Sequence, residues 1–153
     1  MKLVSVDELE GFIGKEMGTG DWFQIDQSQI DQFADVTKDH QFIHVDEELA
    51  KPIFGGTIAH GFLTLSMLVH LKSSVPDTVV PKGVTMGMNY GFDKVRFLQP
   101  VKRGSKVRAK VVMKSVNQKR PGQILVSDEF TVEIEGEEKP ALVAEWLTMY
   151  FVS

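Results

Sequence analysis

The second half of the chain constrains the fold most. Apolar Val107, Ala109 and Val111 alternate with Lys106, Arg108 and Lys110. A period of two puts one set of side chains on each face of a strand. Ile124 to Ile134 and Leu142 to Val152 are longer runs, rich in valine and aromatic residues, and they also predict strands. Val95, Phe97 and Leu98 add a further strand that stops at Pro100. The stretches between the runs are hairpin-like: Lys102-Arg103-Gly104, Lys119 to Gly122, and Glu135 to Pro140. Strands joined by short turns run antiparallel.

A sheet with one apolar face needs a cover, and the first half offers one. From about Gly61 to Leu71 the chain is apolar nearly all round, with Phe62, Leu63, Leu65, Met67, Leu68 and Val69. That pattern predicts a helix buried on most sides. Upstream, Ser28 is placed to cap a short helix through Ile30, Phe33, Ala34 and Val36. Asp46 is placed to cap a second through Leu49 and Ala50, before Pro52 and Gly55-Gly56 break the chain. The expected class is α+β: a curled antiparallel sheet laid over one deeply buried helix.

The chain has 153 residues, 42% apolar and 25% charged, with no repeat and no linker. One domain spanning residues 1–153 is expected. Cysteine is absent, which excludes disulfides, cysteine–zinc sites, iron–sulfur clusters and thiol catalysis. The charge is −4, from 17 basic and 21 acidic side chains, with no basic tail, so nucleic acid is not an expected partner. The most apolar run, Phe62 to Leu71, is interrupted by Thr64, Ser66 and His70, whereas a membrane helix needs about 20 apolar residues. Asp7, Glu8 and Glu10 leave no secretory core near the start. The expectation is a soluble cytoplasmic protein.

Three of the four histidines, His40, His44 and His60, lie within a short stretch rich in carboxylates and glycines; the fourth is His70. Asp39 and His44 are five apart, too far to share a helix face well. In an irregular loop they can converge on one water and do general acid–base chemistry near neutral pH. The residue types alone leave a second reading open, in which Asp39 caps a turn and His44 is a hydrogen-bonded loop residue. A zinc site on His40, His44 and Asp39 is a third reading. Phe42 and Ile43 between the ligands, and the absence of HExxH, weigh against it.

Phe54-Gly55-Gly56-Thr57-Ile58-Ala59-His60-Gly61 runs straight into the apolar helix. Helix starts leave N–H groups unpaired, and a developing oxyanion needs such donors. Glycine at 61 lets a ligand approach the backbone, although a simple turn explains these glycines as well. Lys94, Arg96, Lys102, Arg103, Lys106 and Arg108 fall mostly on an exposed strand face, where one or two could meet phosphate groups. Trp22, Trp146 and Tyr150 are expected in the core or an interface.

Together these pieces resemble the MaoC-like hydratase family, which includes the (R)-specific enoyl-CoA hydratases. The resemblance rests on Asp39-x-x-x-x-His44, then Asp46, then Phe54 to Gly61 entering an apolar helix. The family's usual D-x-N-P-x-H stands here with Gln41 for Asn and Phe42 for Pro. With Asn89-Tyr90-Gly91-Phe92-Asp93-Lys94-Val95-Arg96-Phe97, the variant is similar to the nodulation protein N-like branch.

The resemblance implies a hot-dog fold, a curled antiparallel sheet wrapped around a long central helix, and a homodimer joined edge to edge or a higher homo-oligomer. It implies hydration of a trans-2-enoyl thioester to a (3R)-hydroxyacyl thioester, or the reverse. Asp39 and His44 would be catalytic. Ile58, Ala59, His60 and Gly61, with Asn89 and Arg96, would meet the substrate. Coenzyme A would enter as part of the acyl-CoA substrate, with no metal and no redox cofactor. The competing readings are a hot-dog acyl-CoA thioesterase and a non-catalytic acyl-CoA-binding module. The long strand-like runs at 124–134 and 142–152 carry no proline and few charges, so an edge there would need the cover of a second copy.

Overall fold

The computed structural model describes residues 1–153. The first half holds β1 (Lys2–Val4), α1 (Val6–Leu9), β2 (Glu16–Thr19), β3 (Phe23–Gln24) and α2 (Gln27–Thr37). It continues with α3 (Phe42–Val45), α4 (Glu47–Phe54), α5 (Gly61–Ser66) and α6 (Leu68–Ser73). The second half is β4 (Val79–Pro81), β5 (Val84–Phe97), β6 (Lys106–Arg120), β7 (Gln123–Ile134) and β8 (Leu142–Val152).

The main sheet is antiparallel throughout, in the order β2-β6-β7-β8-β5, with β3 also pairing β6. Its inner face carries the alternating residues expected from sequence: Val107, Ala109 and Val111 of β6, Phe130 and Val132 of β7, and Leu142, Ala144 and Trp146 of β8. Leu63, Leu68 and Leu71 of α5 and α6 pack on this face and join the same core. The architecture is therefore α+β, with helices on one side of an antiparallel sheet.

Several expectations need correction. The long central helix is instead two short helices, α5 and α6, meeting at Met67, whose ψ of −8° departs from helical geometry. The Ser66 hydroxyl donates to the Phe62 carbonyl at 2.7 Å, a back-bond that bends helices. Nor is this stretch buried all round, since Phe62 and Val69 are 66% and 61% exposed. Asp26, not Ser28, caps α2 by accepting from the Gln29 N–H at 2.9 Å. Asp46 caps α4 as expected, but Pro52 lies inside that helix, and Gly55 ends it in a left-handed conformation.

The two strands flanking the 98–105 connection are not neighbours. β5 pairs with β8, and two strands, β8 and β7, separate it from β6. Strands β1, β2 and β3 fall in the half that reads as helix and loop. They are two to four residues long, too short to show a period.

Candidate active site

The site begins where α2 ends. Lys38 closes that helix at φ 66°, a left-handed turn that most side chains avoid. The turn reverses the chain and delivers Asp39, whose Oδ1 accepts from the Gln41 N–H at 3.3 Å. One helical turn, α3, then carries His44 into the interior. The segment after α4 runs past it. The Ile58 N–H donates to the Ile43 carbonyl at 3.0 Å, and the Ala59 N–H to the Val101 carbonyl at 2.7 Å.

These contacts bring the distant motifs together. His44 Nδ1 lies 2.8 Å from the Ile58 carbonyl. A carbonyl only accepts, so Nδ1 bears the proton and Nε2 of the neutral ring is left as the acceptor. His60 Nε2 lies 3.0 Å from the Asp39 carbonyl and is a donor by the same argument. The two imidazoles stack, with centroids 3.7 Å apart at 24°, and Phe33 packs against the far ring. Burial lowers the His44 pKa, and His60 adds to the effect. The Ile58 carbonyl and Asp39 oppose it without winning, so His44 is neutral at pH 7.

Asp39, His44 and His60 each offer a ligand atom, all within 4.8 Å of one another. Distance alone admits a metal ion. Ring geometry argues against one, because an imidazole lone pair lies in the ring plane. Two stacked rings direct their lone pairs along nearly parallel planes, not to one point. His40 pairs with Asp35 at 2.8 Å on the surface, so the sequence spacing of His40 and His44 does not produce a shared site. The arrangement suits proton transfer better than metal binding.

A cavity of about 390 Å³ adjoins His44, with Ile58, Ala59, Gly61, Phe62, Phe97 and Leu142 among its walls. A Cβ on Gly61 would come 2.9 Å from the Phe97 ring, so glycine lets that ring close over the helix start. Of the residues assigned by sequence, His44, Ile58, Ala59 and Gly61 line this cavity, and Asp39 stands close to His44 and His60. His60 stands behind His44 rather than on the wall. Asn89 lies elsewhere, in a second cavity. Arg96 is exposed, its guanidinium bonded to the Val95 carbonyl.

Sequence reading missed Gln27 and Thr57. Gln27 Nε2 donates to the His44 carbonyl at 2.8 Å, and its Oε1 accepts from the Thr57 hydroxyl. One side chain thus ties α2, α3 and the segment before α5. No local pattern announces such a role at a helix start.

Known proteins share this chain's sequence and shape. It is 46% identical over 151 residues to the nodulation protein N of Rhizobium leguminosarum bv. viciae, covering 97% of this chain and 92% of that one. It is 44% identical over 147 residues to the 3-hydroxyacyl-thioester dehydratase Z of Mycobacterium tuberculosis, covering 95% of each. The structure of a monoamine oxidase regulatory protein from an Archaeoglobus superposes with a TM-score of 0.80 at 24% identity, covering 99% of this chain and 96% of that one. The model of the MaoC like domain matches residues 8–134, and with these relatives it establishes that the chain belongs to the MaoC-like dehydratase family.

Proposed function

We propose that the protein is an (R)-specific hydro-lyase that adds water to a trans-2-enoyl-CoA, or removes it from the (3R)-hydroxyacyl-CoA. The observation that carries this reading is the tautomer of His44. Its Nδ1–H is committed to the Ile58 carbonyl, so Nε2 is the free acceptor of a ring that has an Asp39 carboxylate oxygen within 4.8 Å of one of its nitrogens. Family membership supports the reaction class, and a relative named a 3-hydroxyacyl-thioester dehydratase supports the thioester.

A water between the two groups donates one hydrogen to each. His44 Nε2 takes a proton as the water oxygen bonds to the β carbon. The alkene electron pair moves through the α carbon to the thioester oxygen, where the Gly61 N–H stabilises the enolate. The enolate collapses as the α carbon takes the proton back from Nε2, and His44 returns neutral. Asp39 holds the second hydrogen and keeps the oxygen aimed. Both new bonds form on the face where the pair stands, which is syn addition. No step needs a metal or a redox cofactor. The working unit in this reading is a homodimer, supported by the exposed edge of β5.

The test is purified protein with crotonyl-CoA. Loss of the enoyl absorbance without free thiol is the expected result. Thiol release would replace hydration with thioester hydrolysis. An inert mixture, repeated with longer chains, would leave only a binding role.

A further inference from the structure

A second cavity, of about 530 Å³, opens between α6 and strands β5 and β8. Val69, Lys72, Asn89, Trp146, Thr148 and Tyr150 are among its walls. It shares bordering elements with the cavity beside His44. The α5–α6 stretch borders both, through Phe62 at one and Lys72 at the other. The same two strands border both, through Phe97 and Leu142 at one and through Asn89 and Trp146 at the other. Leu142, Trp146 and Tyr150 stand on one face of β8. At 1.5 Å per residue, Gly61 and Lys72 are at most about 16 Å apart along this stretch, and the break at Met67 shortens that.

The wall of this second cavity holds a buried ion pair. Lys72 Nζ is 2.6 Å from Asp128 Oδ2, with side chains 13% and 4% exposed. Removing two such ions from water costs several kcal/mol each, and an apolar pair of the same size is commonly as stable. No cap or turn explains the pair, and the other carboxylate oxygen, Oδ1, is buried without a partner. Burial pulls the Lys72 pKa down, but Asp128 and Tyr150 outweigh it and hold it above the usual lysine value. Burial also raises the Tyr150 pKa, so the phenol keeps its proton. The wall therefore presents an ammonium and a phenol O–H, both donors. Asp128 already neutralises the ammonium. A carboxylate entering here would bury a net negative charge, whereas a neutral oxygen would not.

We propose that this cavity receives the far end of a long acyl chain, and that Lys72 and Tyr150 select chains carrying a neutral oxygen there, a hydroxyl or a keto group. The inference rests on the reading that a thioester carbonyl sits at Gly61.

Trp146 lines the cavity, so its fluorescence in a Trp22→Phe background reports filling without turnover. The probes are dodecanoyl-CoA, its ω-hydroxy form, and the mono-CoA thioester of dodecanedioic acid. The ω-hydroxy chain should bind about tenfold tighter than the plain one, the effect of one net hydrogen bond. The dicarboxylic chain should bind weakest. Tyr150→Phe should cut the preference severalfold. Lys72→Met with Asp128→Leu, which leaves neither ion alone, should erase it. Equal binding of the plain and hydroxylated chains would overturn the proposal. So would tightest binding of the dicarboxylic chain, or a preference unchanged in Tyr150→Phe. Failure of the hydration reading shows separately, as crotonyl-CoA that is never consumed.

Discussion

At the scale of single residues, the proposed chemistry needs two groups on one water. Asp39→Asn keeps the shape but weakens the acceptor, and His44→Ala removes the base. Each should lower hydration of crotonyl-CoA by ~10²–10⁴-fold. The double variant should fall far short of the product of the two, because the pair acts as a unit. Folded Asp39→Asn protein with more than about a tenth of the wild-type rate would remove Asp39 from the mechanism. Acid should matter through His44. Its pKa is lowered from 6.5 in the fold, so kcat/KM should decline only as pH falls below that value. Stability has the same sign. Between the unfolded and folded pKa values the unfolded chain binds more protons, so stability is full above about 6.5 and declines below it. The acid loss of Tm should be smaller in His44→Gln. Asp39, His44 and Gly61 were legible because their motifs are contiguous. The His60 stack and the Asn89 cavity were not, because each depends on contacts between distant segments.

At the scale of elements, the pair is only as rigid as the joint between α2, α3 and the segment entering α5. Gln27 makes that joint, and Thr57 beneath it is 1% exposed. Gln27→Ala strands the Thr57 hydroxyl, at a cost of about 1–3 kcal/mol. It also frees the carbonyl of His44. The expected outcome is a lower Tm together with roughly tenfold lower kcat, since small misplacements of positioned groups are costly. A variant that loses Tm but keeps kcat would make Gln27 merely structural. The long strands β6, β7 and β8 were legible from their period of two. The break at Met67 was not, since it follows from one dihedral angle and one hydroxyl rather than from composition. Nor was the pairing of β5 with β8. Register between strands far apart in sequence is set by which faces must be buried, and hydropathy along one run does not report that.

At the scale of the molecule, the exposed edge is not where the sequence placed it. The runs at 124–134 and 142–152 are β7 and β8, each paired on both sides. The edge is β5, fourteen residues paired only with β8. Three register shifts along it bend the strand. Met86 and Met88 are 47% and 49% exposed, and Tyr90 is 63% exposed. A long apolar edge of this kind templates association unless something covers it. In the proposed homodimer, a second copy pairing β5 to β5 about a two-fold axis would cover it with the same surface and close the assembly. Phe62 and Val69 lie exposed on the helices bordering this strand and extend the apolar surface. Phe97 ends β5 and also walls the cavity beside His44, so the edge and the site are mechanically one. Tyr90→Lys with Met88→Lys adds two charges per copy to the joint, four where the copies meet. Light scattering should then show a monomer for the variant and a dimer for the wild type, and hydration should fall on dilution as the proposed dimer dissociates. A wild type that is monomeric and fully active at assay concentration would defeat both the interface and its link to the site.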